Sequence, residues 1–171
     1  MADINFSRSA PPVDPAAKAA EPSGPDFQLI ELLFFAYRDF VGDADQMLAR
    51  YGFGRAHHRV LYFVERNPGI RVTDLLDILR ITKQSLGRVL KQLVDEGFIL
   101  QTPGESDRRQ RLLHATRKGS RLVQELAERQ SQRLEQAAAG LDAAGRAGAR
   151  AFLQNMIDRD APPRAPSDDV A

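Results

Sequence analysis

The stretch Asp107-Arg108-Arg109-Gln110-Arg111 sets one carboxylate and three arginines between two short apolar runs, Phe98-Ile99-Leu100 and Leu112-Leu113. Guanidinium groups suit one kind of chemistry, the gripping of phosphates and other oxyanions through forked, charge-assisted hydrogen bonds. The same residues also serve as an ordinary solvated loop tip. Upstream, Lys83, Gln84, Ser85, Arg88 and Lys91 follow Thr82. At helical spacing Gln84, Arg88 and Lys91 share one face, and long amide and guanidinium side chains match base edges in a major groove. Lys83 and Ser85 would lie at the helix N-terminus, which favours phosphate. Alone, that face is equally a solvated one. Arg55, Arg59 and Arg71 are further candidates, either phosphate contacts or plain surface.

Other chemistries fare worse. His57, His58 and His114 are the three histidines, and two that are adjacent on a helix cannot easily face one metal. No cysteine and no dense carboxylate set accompanies them, so neither a metal nor a cofactor is expected. No nucleophile-base pairing or phosphate loop appears, so the chain is not expected to be an enzyme.

Elements must position these groups. Ile30, Leu33, Phe34, Tyr37, Val41, Ala44 and Leu48 follow the 3.6-residue period, which predicts a helix over 26–50. Phe35 and Phe40 widen its stripe beyond what one helix needs against its own chain. A second helix over 55–66 stops at Asn67-Pro68-Gly69. Thr73 can cap a short helix carrying Leu75, Leu76 and Leu79 inward, and Thr82 can cap the next, which buries Leu86, Val89, Leu90 and Leu93 and stops at Gly97. Two helices joined by so tight a turn make a helix-turn-helix candidate. Phe98–Gln101 and Arg111–Ala115 then read as two strands of a hairpin around the loop 102–110. Thr116 caps a long helix over 117–139 with Leu122, Leu126 and Leu134 inward, and a last helix over 142–159 carries Ala144, Ala147, Ala151, Phe152 and Met156.

The chain has 171 residues, 43% hydrophobic and 27% charged, which suits one folded body with tails. Residues 1–25 and 161–171 are Pro- and Ala-rich without apolar period and read as disordered, leaving a body of about 26–160. The formal net charge of +1 is uneven: residues 54–119 carry thirteen Lys/Arg against seven Asp/Glu, a net of +6, and the remainder is net −5. A basic middle between acidic flanks faces polyanions, of which nucleic acid is the commonest. No apolar run reaches the roughly 20 residues that cross a bilayer, and no signal pattern opens the chain, so a cytoplasmic protein is expected.

Ile81–Ile99, Asp107-Arg108-Arg109 and His114–Gly119, taken together, resemble the MarR family of bacterial winged-helix transcriptional regulators. The matching positions are Leu93 to Gly97 after a polar-started recognition helix, Asp107 with Arg109 in a wing, and Thr116 with Gly119 entering the next helix. The resemblance covers about 27–158, and residues 80–113 are similar to a PetP-like branch of the family. Gln101 stands where members often have a basic residue, and Ala115 where they usually have leucine.

The resemblance implies a mainly α fold, a winged helix-turn-helix with a small β-hairpin wing and dimerisation helices at 26–50 and 117–159, around a DNA-binding lobe at 54–116. It implies a homodimeric repressor on a pseudo-palindromic operator, with two recognition helices in successive major grooves about 34 Å apart. Thr82, Lys83, Gln84, Ser85, Arg88 and Lys91 would form the recognition surface. Arg109 would probe the minor groove with Asp107 orienting it, while Arg108 and Arg111 stay open between phosphate contact and solvation. Phe34, Tyr37, Phe40 and His58 would line a pocket for a small effector, or belong to the core. The rival reading is a non-sensing architectural or protein-interaction module on the same fold.

Overall fold

Leucine, valine and phenylalanine side chains from five helices and the sheet meet in one apolar cluster, and that cluster sets the architecture. The computed structural model describes residues 24–104 and 110–157. Its elements are α1 (Phe27–Ala49), α2 (Arg55–Arg66), β1 (Ile70–Arg71), α3 (Val72–Leu79), α4 (Lys83–Asp95), β2 (Ile99–Pro103), β3 (Arg111–Ala115), α5 (Arg117–Ala137) and α6 (Ala143–Asn155). The fold is mainly α, a winged helix with a small antiparallel sheet. Two units are distinguished along the chain, divided after Phe35. The described part of the first is residues 24–35, which holds the opening turns of α1 with Asp26 Oδ1 accepting from the Leu29 N–H at 2.9 Å.

In the second unit, Val60, Leu61 and Val64 of α2 are fully buried beside Leu75, Leu86, Leu93, Phe98, Leu113 and Leu126. Each buried leucine contributes about 1.5–3 kcal/mol relative to exposure, so the cluster holds α2 through α5 around one centre. Arg133 of α5 meets Asp43 of α1 at 2.9 Å, and Arg146 of α6 meets Glu135 of α5 at 3.1 Å. These exposed pairs orient more than they stabilise.

Several expectations need correction. The sheet has three strands in the order β1-β3-β2, since Ile70 pairs with Leu113 and Arg71 with Leu112 ahead of the helix-turn-helix. The β2–β3 pairing extends from Ile99–Ala115 to Pro103–Arg111, and Gly104 N–H donates to Gln110 O at 3.0 Å, so the wing loop spans 104–110 rather than 102–110. Pro103, which has no N–H, lies on the edge strand where none is needed. Thr73 does not cap α3: the extended boundary residue is Arg71, which makes no side-chain cap, and Thr73 lies inside the helix. Leu134, expected inward, is 55% exposed, and no residue of α6 is buried.

Candidate nucleic-acid interface

The N-terminus of α4 is fixed by Thr82, whose backbone is extended and whose Oγ1 accepts from the Ser85 N–H at 3.2 Å and donates to Ser85 Oγ at 2.9 Å. This satisfies an N–H group that a helix start otherwise leaves unpaired, and such a cap stabilises by about 1 kcal/mol. Leu86, Leu90 and Leu93 point into the core, so rotation about the helix axis is set by their burial. The opposite face leaves Lys83, Gln84, Gly87, Arg88 and Lys91 exposed, with Ser85 half-buried between the faces. Lys91 Nζ forms an i,i+4 ion pair with Asp95.

Gly87, which sequence reasoning passed over, sits three residues after Gln84 and four before Lys91. A Cβ built there meets nothing within 4 Å. A glycine inside a helix is destabilising by roughly 1 kcal/mol relative to alanine, and no packing in this chain requires it. Its signal was available, because an isolated glycine in a helical pattern asks for a packing or functional reason.

Residues from three separately identified groups meet at one hollow of about 370 Å³, lined by Arg71, Val72, Thr73, Leu76, Lys83, Gln110 and Arg111. It lies where the start of α3, the start of α4 and the wing stem converge. Arg71 is forked onto Asp74, with Nε donating to Oδ2 and Nη2 to Oδ1, both at 2.8 Å. Those bonds hold the Asp74 carboxyl below its ordinary range and raise the Arg71 guanidinium further. A second hollow, of about 340 Å³, is lined by Ala56, His57, Ser85, Arg88, Val89 and Gln92. Here His57 Nδ1 accepts from the Gly54 N–H at 3.1 Å, and Nε2 lies 2.9 Å from Gln92 Oε1. The acceptor role of Nδ1 puts the proton on Nε2, so His57 donates to Gln92 and ties α2 to α4.

Arg55 and Arg59 are placed elsewhere. Arg55 pairs with Asp45 at 2.8 Å, and Arg59 Nη2 donates to Leu79 O at 3.2 Å, satisfying a carbonyl at the end of α3. Asp107, Arg108 and Arg109 lie outside the described residues, whereas Arg111 is exposed at the head of β3. Phe34 and Tyr37 are exposed, and Phe40 and His58 are half-buried. Burial pushes the His58 imidazole below its ordinary value, opposed by the charge of Asp45, and its ring meets Tyr62 edge-on at 6.4 Å. Among the described residues no group of three His, Asp or Glu side chains is placed to hold a metal, and no helix is long and apolar enough to cross a membrane.

Comparison with known proteins agrees with this geometry. Residues 51–110 match the MarR family. The HTH-type transcriptional regulator PetP of Rhodobacter capsulatus is 47% identical over 131 residues, covering 75% of this chain and 78% of that protein. Among solved structures, Streptococcus pneumoniae FabT in complex with DNA superposes with a TM-score of 0.66 at 20% identity, over 76% of this chain and 94% of that one. A putative MarR family regulator from Listeria monocytogenes, complexed with a 26mer DNA, gives 0.64 at 20% identity, over 77% and 86%. At that identity the two structures speak to the fold, and the PetP relative carries the family. Its members are regulators rather than enzymes: the chain belongs to the MarR family of transcriptional regulators.

Proposed function

We propose that this chain is a homodimeric, sequence-specific DNA-binding repressor released by a small ligand. One observation carries the DNA reading: a capped, core-anchored α4 exposes Lys83, Gln84, Arg88 and Lys91 beside a hollow that gathers Arg71 and Arg111. Gln84 and Arg88 would read base edges, with Thr82 and Ser85 at the helix start and Lys83 and Lys91 beside them, and Gly87 would admit the duplex closely. Arg71 would leave Asp74 for a phosphate, a swap between two oxyanion partners. Arg109, oriented by Asp107, would enter the minor groove, whose narrow form concentrates negative potential. Arg108 and Arg111 would add phosphate contacts. Arg55 and Arg59 have intramolecular partners and are weaker candidates. The structures of FabT and of the Listeria regulator, both in complex with DNA, support the same reading.

The dimer is supported by surface that the single chain leaves uncovered. In α6, Phe152 is 45% exposed and Leu153 54%, and Met156 directly after the helix is 50% exposed. A helix of this length with no buried residue is marginal alone in water and requires a partner surface. A second copy of the chain would supply it. In the first unit, Phe27 and Phe34 are likewise open. The effector site would involve Tyr37, Phe40 and His58, and release requires that a ligand bind a dimer with misplaced recognition helices more tightly than the DNA-competent one.

Selection of bound duplexes from a random pool tests the proposal. The expected result is a pseudo-palindrome whose half-sites lie one helical turn apart. Absence of enrichment would remove sequence-specific binding, and a single unpaired half-site would remove the dimer. Titration of the bound complex with phenolic and anionic compounds tests release; a complex indifferent to all of them leaves a non-sensing regulator.

A further inference from the structure

We propose that Lys118 is a positioning residue for DNA recognition, fastening the C-terminal end of α4 to the first turn of α5. The inference rests on the DNA-binding reading above and deepens it. The last turn of α4 has no basic residue of its own and ends in Asp95, with Glu96 next, acids placed at the negative end of the helix dipole, and Lys91 from the turn before is engaged with the Asp95 carboxylate. The cation that meets the terminal carbonyl comes from α5. Lys118 Nζ donates to Glu96 O at 2.9 Å and lies 4.0 Å from the centroid of the Phe98 ring. One ammonium thus satisfies a terminal carbonyl of α4 and rests on the aromatic residue that follows the helix.

Neighbouring groups make this a rigid connection. Thr116 Oγ1 donates to Gly97 O at 2.7 Å, and Thr116 N–H donates to Phe98 O at 3.0 Å. Gly119 brings its backbone so near that a Cβ there would lie 2.2 Å from Phe98 O. The Phe98 ring also meets Phe53 at 5.0 Å, Phe53 stacks on His57 at 4.7 Å, and His57 bonds Gln92 of α4. The ring of contacts starts at Lys118, passes through α2 and returns to the helix it holds. The helix is about 20 Å long, its near end is fixed by Thr82, and its far end therefore sets the tilt at which Arg88 and Lys91 are presented. Any movement of α5 is delivered to that far end directly.

A lysine beside a DNA-binding helix is otherwise read as a phosphate contact, and the test separates the two. Lys118→Met keeps the apolar stem over Phe98 and removes the charge and the donor, whereas Lys118→Arg keeps both. Each is compared with the parent on the selected site and on a random duplex, across a salt series, with amide exchange followed along α4. A positioning role predicts that Lys118→Met loses about tenfold in specific affinity, the scale of one charge-assisted hydrogen bond, with random-duplex affinity and salt slope unchanged and Lys118→Arg close to the parent. It also predicts faster exchange at the Glu96, Gly97 and Phe98 amides and none at Leu86. Equal losses on both duplexes with a slope shallower by about one would make Lys118 a phosphate contact instead. Unchanged binding with unchanged exchange would leave it no role. If the parent itself shows no specific site, the DNA reading fails, and the exchange result alone decides whether the latch exists.

Discussion

Gly119→Ala sets two opposed effects against each other at one position. Alanine in place of glycine inside a helix is favourable by roughly 1 kcal/mol. Against that, the new Cβ would lie 2.2 Å from Phe98 O and 3.2 Å from Leu61 Cδ1. The oxygen belongs to the backbone and is held there: it accepts from Thr116 N–H at 3.0 Å, and the Phe98 N–H donates to Leu93 O at 2.8 Å. Ordinary contact would need the two segments to part by about 1 Å, which stretches those bonds and opens the joint between α4 and α5. Overpacking typically costs about 1–3 kcal/mol and backbone bonds about 1 kcal/mol each, so the clash wins with a net loss of about 2–3 kcal/mol. The melting temperature should fall by roughly 5–10 °C for a chain of this size. Gly87→Ala is the internal control, the same substitution in open space, and should raise stability by up to about 1 kcal/mol while weakening DNA binding. Thermal and urea unfolding at one fixed protein concentration would measure both, since a dimer's transition moves with concentration. If Gly119→Ala were stabilised as much as Gly87→Ala, the close approach of α5 to the Phe98 carbonyl would be wrong.

Four further outcomes are expected. Arg109→Ala should weaken DNA binding and make the dependence of log affinity on log salt shallower by about one; identical slopes would exclude the wing from the contact. Gln84→Ala and Arg88→Ala should change which base pairs are preferred, read by repeating the duplex selection, and a loss uniform across all sequences would mean contact with phosphate alone. His58 has its folded pKa depressed by burial, so the unfolded chain binds the proton more readily and stability should rise with pH through the window just below its ordinary value of 6.5. That slope in denaturant midpoint should vanish in His58→Gln, and an unaltered slope would assign it to other groups. Phe152→Asp, on the uncovered face of α6, should shift sedimentation from dimer to monomer without changing the spectrum of the winged helix; an unshifted dimer would place the interface elsewhere.

Much of the fold was legible because its signals are local. The caps at Thr82 and Thr116 act within three residues, accepting from Ser85 and Gly119 N–H, and Gly97 ends α4 at a positive φ of 73°. Apolar periods placed every helix to within a few residues. What escaped was non-local or too short to have a period. β1 is two residues long and is a strand only because β3 lies beside it. Arg55 finds Asp45 ten residues away and Arg59 finds Leu79 twenty away, partners that no pattern along the chain announces. Periodicity shows that a face is apolar but not which molecule covers it, which is why Leu134 reads as inward and is exposed. The exposed polar face of α4 was legible from residue types at helical spacing; Gly87 was passed over although an isolated helical glycine is a signal, and Lys118 was missed because its partners, Glu96 O and the Phe98 ring, lie about twenty residues away.

The wing stem has a consequence for how such a regulator changes its target over evolutionary time. Pairing continues to Pro103 and Arg111, and the Gly104–Gln110 hydrogen bond closes the loop beyond them. Strand register is thereby set by the stem itself, so that insertions, deletions and replacements between Gly104 and Gln110 should leave the rest of the sheet in step. On the DNA-binding reading proposed above, the sequence between those two stem residues is an exchangeable cassette, free to change while the scaffold stays under packing constraint. Transplanting loops of different length between the same two stem residues should therefore alter operator preference while leaving the unfolding transition in place.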